Sequence, residues 1–157
     1  MLEIRRIDPL SDDGTNLFQR LSQEQIDRYG RDGGRKLVDL AREDVLFMAA
    51  YLDGVPVACG AVVPFDKSVG ELSRIFVDPS ARKNGVGTAV MGALEEAIHG
   101  RYSRLVLETG TEQPESMHLY EKCGYTPITC WGESANNSKS RCYEKQLSAG
   151  PKGTPDA

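Results

Sequence analysis

Residues 71–98 constrain this chain more than any other stretch. Leu72, Ile75, Phe76 and Val77 form an apolar, partly β-branched segment of strand length. Asp78-Pro79 stops it. Arg82-Lys83-Asn84-Gly85-Val86-Gly87-Thr88 then leads into a helix whose apolar residues, among them Met91, Leu94 and Ile98, recur at helical spacing. Glycines at the mouth of a helix let backbone N–H groups crowd around an anion, and the helix dipole adds positive potential there. Arg82 and Lys83 put full charges beside that point. Such a turn suits a pyrophosphate, and by itself it equally suits a tight strand-to-helix connection. It lacks the first glycine of the dinucleotide fingerprint G-x-G-x-x-G. No Gly-Lys-Ser/Thr follows, as a P-loop requires.

The remaining segments are read in chain order. Leu2, Ile4 and Ile7 belong to a first short strand ended by Asp8-Pro9. Ser11-Asp12-Asp13 offers N-caps to a helix with Leu17, Phe18, Leu21 and Ile26 on one side. Residues 30–43 are glycine-rich, then weakly helical around Leu37, Val38 and Leu40: either a solvated connection or a lid. A nearly continuous apolar strand at 45–52, the hairpin signal Asp53-Gly54 and a returning strand at 55–63 follow, with Pro56 near the start of the return. Residues 64–67 read as the next turn and Gly100 as a helix C-cap. Strands at 104–109, 124–128 and 141–147 and a helix from Pro114 to about Lys122 complete the pattern, with a polar loop at 130–138. The order β-α-(α)-β-β-β-α-β-α-β-β is that of a mixed α+β fold of about seven strands and about four helices.

A chain of 157 residues is expected to form a single domain, here 1–147, with a Gly/Pro-rich tail at 148–157 expected to be disordered. Lys plus Arg is 19 against 23 acidic residues, a net charge of -4, which disfavours a nucleic-acid partner and mildly favours cationic or amine ones. No apolar run is long enough for a membrane helix, and residues 1–9 lack the apolar core of a signal peptide. The expectation is a cytoplasmic protein with no membrane partner. Cys59, Cys123, Cys130 and Cys142 are scattered without a C-x-x-C pair or metal-site spacing, and all four are expected to be reduced.

The pattern Arg82-x-x-Gly85-x-Gly87 after an apolar strand resembles the acetyl-CoA signature of the GNAT superfamily of N-acetyltransferases. Two further pieces fit that family in the right order. One is the strand ending Leu107-Glu108-Thr109-Gly110. The other is the run from Gln113 to Tyr125, whose Leu119-Tyr120-Glu121-Lys122-Cys123-Gly124-Tyr125 is similar to the family's helix motif. The resemblance covers residues 1 to about 147 and is nearest to a subgroup of small, bacterial-type acetyltransferases. The chain departs from the motif where Gln113 and Ser116 replace a common Asn and Ala.

The resemblance implies acetyl-CoA as co-substrate and no metal. It lays the pantetheine arm along Ile75, Phe76 and Val77 and the pyrophosphate on the amides of Lys83, Asn84, Gly85, Val86, Gly87 and Thr88, beside Arg82. The amide of Phe76 or Val77 would polarise the thioester carbonyl. Tyr120 matches the family tyrosine aimed at the CoA sulfur, and a phenol of pKa about 10 can serve a leaving thiolate as acid. Glu71 resembles the base that deprotonates the amine, directly or through water. Glu108 either binds the substrate ammonium or braces its loop, and Ser73, on Glu71's face by alternation, touches substrate. Each has a plainer reading: a surface arginine, a packed tyrosine, an edge carboxylate. His118 is expected to face solvent and His99 to complement its helix end. No nucleophile elbow occurs, and a Cys–His pair stays open on spacing alone.

The function implied is direct acetyl transfer to a primary amine in a ternary complex, the acceptor a small amine or amino acid. The alternatives are acetylation of a protein N-terminus or lysine, and a catalytically silent acyl-CoA-binding sensor. Residues 29–43 and 131–137 are expected to select the acceptor, and homodimerisation through a sheet edge stays open.

Overall fold

The computed structural model describes residues 1–147, so the expected tail at 148–157 lies outside the described residues. Seven strands form one mixed sheet: β1 (Leu2–Arg6), β2 (Leu46–Leu52), β3 (Val55–Asp66), β4 (Val69–Val77), β5 (Arg104–Gly110), β6 (Thr126–Ile128) and β7 (Ser140–Gln146). Their order is β1-β2-β3-β4-β5-β7-β6. Four helices, α1 (Asp12–Tyr29), α2 (Leu37–Leu40), α3 (Val86–Ala97) and α4 (Pro114–Lys122), alternate with them as the sequence pattern predicts. The β4–β5 ladder is parallel, and those of β1–β2, β2–β3, β5–β7 and β6–β7 are antiparallel. Contacts gather into two compact units.

The first unit takes Met1–Val63 and Ser73–Glu96. Its core packs Leu17 and Leu21 of α1 and Leu40 of α2 on Phe47, Ala49 and Tyr51 of β2, on Cys59, Ala61 and Val63 of β3, and on Phe76 of β4. The spacing of two along each strand puts these side chains on one face. Ser11 caps α1 by accepting from the Gly14 amide, with Asp12 and Asp13 in the first turn, and Gly30 closes it in the left-handed conformation. Asp53 and Gly54, at φ 51° and 84°, make the expected tight hairpin. Pro56 stands opposite Tyr51 at a register shift in the β2–β3 ladder, where a missing N–H costs no ladder bond.

The second unit takes Pro64–Leu72 and, among the described residues, Ala97–Leu147. Val69–Glu71 pair with Arg104–Val106, and the ladder stops there. β5 then pairs along its whole length with β7, which also carries the short β6. Against expectation, Pro64, Phe65 and Asp66 are not a turn: β3 runs through them and the chain reverses at 67–68. The β2–β3 ladder ends at Leu46↔Val62, so Pro64 adds to a strand whose β2-side edge is already unpaired. Phe65 meets Trp131 edge-on, with ring centroids 5.3 Å apart.

The expectation of four reduced cysteines is corrected. Cys130 and Cys142 form a disulfide. Ile128 pairs with Cys142 across β6–β7, and the chain leaving β6 brings Cys130 to a Cα–Cα distance of 5.2 Å from Cys142, inside the usual disulfide span. Cys59 and Cys123 are free, so protein denatured without reductant should titrate two thiols by a colorimetric disulfide reagent and four after reduction. Four thiols before reduction would contradict the bridge.

Candidate active site

In the first unit the chain leaves β4 through a series of local bonds. The Asp78 carboxylate accepts from the amide and hydroxyl of Ser80 and so starts a short 3-10 turn over Pro79–Ala81. Those Ser80 hydrogen bonds, against a smaller opposing effect of burial, hold the Asp78 carboxyl below its ordinary range. Arg82 comes next. Its Nε donates to the Val77 carbonyl at 2.8 Å and its Nη2 to Glu24 of α1 at 2.5 Å. This guanidinium therefore fastens the turn to β4 and α1, where the sequence reading aimed it at phosphate.

Lys83 and Gly85 then take positive φ, 69° and 79°. Glycine enters that conformation without strain, and at Lys83 the side chain stands in solvent. The first helical backbone bond runs from Ala89 N–H to Gly85 C=O at 3.0 Å, so the amides of Val86, Gly87 and Thr88 precede the intrahelical ladder. No acidic residue occupies the first turn of α3. Open amides, a basic neighbour and the absence of a competing carboxylate fit a phosphate group.

β4 itself departs from a regular strand. Arg74 sits at φ 56°, and its side chain is 6% exposed. Nη2 donates to Asp32 at 2.5 Å, Nε donates to the Arg35 carbonyl at 3.1 Å, and the guanidinium stacks on Phe18 at 4.7 Å. Asp32 also accepts from Ser22 at 2.5 Å and from the Gly34 amide at 3.2 Å. The glycine-rich segment after α1 is thus tied to the strand. Positive φ at Arg74 interrupts the period of two between Ser73 and Ile75, after the alternating positions Glu71, Leu72 and Ser73. Ser73, Ile75 and Val77 are half-buried, and Phe76 is buried in the core.

Cys59 donates its thiol to the Arg74 carbonyl at 3.6 Å. Complete burial pushes this thiol up from 9.0 to about 12, with Arg74 and Arg20 pulling weakly the other way. It is a packed thiol and no nucleophile. The unfolded chain loses this proton near pH 9 while the folded one keeps it to about 12, so stability should decline as pH rises through that window. Cys59→Ala should flatten the decline when urea unfolding is followed from pH 8 upward. An unchanged slope would show that Cys59 is not its source.

In the second unit, Glu71 is half-buried at the last paired position of β4, opposite Val106. Glu108 is exposed and accepts from Ser140 Oγ at 2.7 Å, a bond that braces it on β7. Tyr120 is 5% exposed, its ring 6.3 Å from that of Tyr125 and 6.2 Å from that of Tyr143. Burial, assisted by Cys123 and Glu115, raises its pKa above the ordinary 10.0, so it holds its proton throughout the neutral range. Its hydroxyl makes no hydrogen bond to the described residues. His118 is exposed, as expected; His99 is also exposed and lies just beyond Ala97, the last residue of α3. Gln113 caps the start of α4 without a side-chain cap bond.

A cavity of about 490 Å³ lies in the same unit, walled by Met117 of α4, Pro127 and Ile128 of β6, Ser140 and Arg141 of β7, and the disulfide. Sequence reasoning missed it, because its walls are local in space and spread over 27 residues of chain. Among the described residues no group of three or more His, Cys, Asp or Glu could hold a metal ion, and no helix is long and apolar enough to cross a membrane.

A mixed seven-stranded sheet with a glycine-bearing, basic turn leading from its central strand into a helix N-terminus fits an acyl-CoA-dependent acyltransferase. The chain belongs to the acetyltransferase (GNAT) family, whose pattern matches residues 11–125. It is 32% identical over 148 residues to an "IAA acetyltransferase" of Azospirillum brasilense, covering 92% of this chain and 97% of that one. The fold superposes with a TM-score of 0.80 on a crystal structure described as an acyl-CoA N-acyltransferase of Klebsiella pneumoniae, at 29% identity over 94% of this chain and 99% of that one. It shares its fold with the PaiA N-acetyltransferase of Thermoplasma acidophilum in complex with coenzyme A (TM-score 0.71, 15% identity, covering 94% and 99%). The co-substrate of this enzyme family is acetyl-CoA.

Proposed function

We propose that the protein transfers the acetyl group of acetyl-CoA directly to a primary amine within a ternary complex, and that the acceptor is a small molecule. The observation that carries this reading is the start of α3: amides of Val86, Gly87 and Thr88 ahead of the helical ladder, Lys83 beside them, and no acid in the first turn. These groups are suited to the pyrophosphate, with Asn84 and Gly85 completing the turn and Arg82 fixing its shape through Val77 and Glu24. The backbone of Ile75–Val77 takes the pantetheine arm, and an amide there donates to the thioester oxygen as negative charge develops on it.

Glu71 accepts the ammonium proton, directly or through water, and Glu108 attracts the cation. The neutral amine nitrogen bonds to the acetyl carbon, and the carbon–sulfur bond breaks with its electron pair leaving on sulfur. Tyr120 donates its hydroxyl hydrogen to the departing thiolate. The second amine proton, shed from nitrogen as the amide forms, passes through solvent to restore the Tyr120 hydroxyl. Since burial raises the Tyr120 pKa, donation of a strong hydrogen bond comes before full proton loss. The cavity of about 490 Å³ is of small-molecule size, which favours a small acceptor over a protein one.

The test is release of CoA thiol from acetyl-CoA over a panel of amines, amino acids, polyamines and short peptides. Release with a small-amine class is the expected result. Release with peptides alone would make the acceptor a protein. Silence from protein that binds CoA by calorimetry would overturn the enzyme reading in favour of a sensor.

A further inference from the structure

The cavity in the second unit has a disulfide in its wall. Cys130 and Cys142 both line it, so the bridge borders a space of about 490 Å³. Its two halves are not equally placed. Cys142 lies within β7 and is 2% exposed, whereas Cys130 lies in the loop after β6 and is half-buried. A thiolate opens a disulfide by attacking one sulfur and expelling the other, and access decides which is attacked. Here the reachable half is Cys130. Glu108 stands opposite Cys142 in the β5–β7 ladder, and opposed residues of such a ladder share a face. That carboxylate and the burial disfavour a second anion, so the Cys142 sulfur, once released, takes up a proton.

The bridge also holds a loop in place. Residues 129–139 join β6 to β7. The far end of this loop is fixed by hydrogen bonds. Thr111 donates its amide to the Lys139 carbonyl at 2.9 Å, Ser140 its amide to the Asn137 carbonyl at 3.0 Å, and Arg141 Nη1 donates to the Ser138 carbonyl at 3.0 Å. From 131 to 136, no hydrogen bond among the described residues joins the loop to another element. This part is held by the bridge at Cys130 and by the edge-on contact of Trp131 with Phe65. Ser134 and Ala135, which lie in it, form part of the cavity wall. A covalent closure 12 residues apart removes far more chain freedom than one partly exposed ring contact.

We propose that Cys130 is a thiol-exchange site through which a dithiol reductant unlatches this loop and takes away one wall of the cavity. One thiolate of the reductant attacks Cys130 Sγ. The sulfur–sulfur bond breaks with its electron pair on Cys142 Sγ, which is protonated from solvent. The reductant's second thiolate then attacks the reductant sulfur of the mixed disulfide. Cys130 leaves as a thiolate and is protonated in turn, and the reductant closes to a cyclic disulfide. The protein gains two electrons and two protons, and the dithiol loses them. The state of the loop therefore follows the thiol poise of its surroundings. This site stands apart from the acetyl-transfer reading, and its test does not use turnover.

Trp131 is the one tryptophan of the chain, so its emission reports this loop. Dithiothreitol added to the folded protein should shift that emission to longer wavelength as Trp131 leaves Phe65. It should also speed amide exchange at 131–136 by about 10-fold or more, while the amides of β5 hold. Cys130→Ser should show the reduced emission from the start and ignore dithiothreitol, and Cys123→Ser should respond as wild type does. Oxidised glutathione, added to Cys142→Ser and to Cys130→Ser, each also carrying Cys123→Ser, reads the direction of attack. The first should gain one glutathionyl group by mass, and the second, left with buried thiols, should react at least about 10-fold more slowly. Three results would overturn the proposal: a bridge that dithiothreitol opens only on unfolding, an opened bridge that leaves Trp131 and the loop amides as they were, or faster glutathionylation at Cys142 than at Cys130. The wild-type measurements decide even where a variant fails to fold.

Discussion

Replacing Tyr120 with Phe should lower kcat by about 10²- to 10⁴-fold, the range covered by a positioned general acid, while KM for acetyl-CoA stays near wild type. The Tyr120 hydroxyl has no hydrogen-bond partner among the described residues, and its ring is held between Tyr125 and Tyr143. Removing one oxygen therefore leaves the packing in place, and the melting temperature should barely move. This makes the substitution a clean probe of chemistry. A kcat equal to wild type would take Tyr120 out of the mechanism. The pH profile gives a second reading of the same residue. Burial raises the Tyr120 pKa above 10.0, so any fall in kcat below that pH belongs to another group.

Arg74→Ala should destabilise the first unit by about 3 kcal/mol. For a domain of this size that is a drop of roughly 6–12 °C in Tm. The side chain is 6% exposed and serves Asp32, the Arg35 carbonyl and the face of Phe18 at once. Its loss leaves Asp32, 16% exposed, without its counter-charge. Burial acts to raise the Asp32 pKa, but hydrogen bonds from Arg74, Ser22 and Gly34 outweigh it and hold the carboxyl below 3.8. The stabilisation is therefore fully present above that pH and is lost as pH falls through the lower folded value. In Arg74→Ala the acid transition should begin at higher pH. Adding Asp32→Asn should recover part of the loss, because it removes the orphaned charge. Additive losses, measured by thermal melts of the single and double variants, would show that the two residues do not act as a pair.

Much of the frame is legible in residue chemistry. Asp53-Gly54 names its own turn, Ser11-Asp12-Asp13 and Gly30 bound α1, and Pro114 and Cys123 bound α4. The glycine-bearing turn ahead of α3 is equally plain, since glycine spacing and flanking charge are local properties. What escapes a linear reading depends on register and distance along the chain. Leu72, Ile75 and Phe76 look like one continuous strand, and nothing local announces a left-handed residue at Arg74. The disulfide follows from the pairing of Ile128 with Cys142, which no spacing rule encodes. Arg82 reads as a phosphate ligand because its partner Glu24 lies 58 residues away. Pro64 reads as a turn because the end of the neighbouring ladder, which tolerates it in β3, is invisible in sequence.

The bond between Arg74 and the segment after α1 also sets terms for anyone who would rebuild that segment. A Cβ at residue 34 would lie 2.7 Å from Nη1 and 2.9 Å from Cζ of Arg74, so the guanidinium occupies the space any side chain there would need. Aspartate at 32, glycine at 34 and arginine at 74 form one three-letter word spelled across two distant parts of the chain. A library that randomises the loop while holding the strand fixed will recover mostly that word. A graft from another protein needs its own arginine brought along with it, or none.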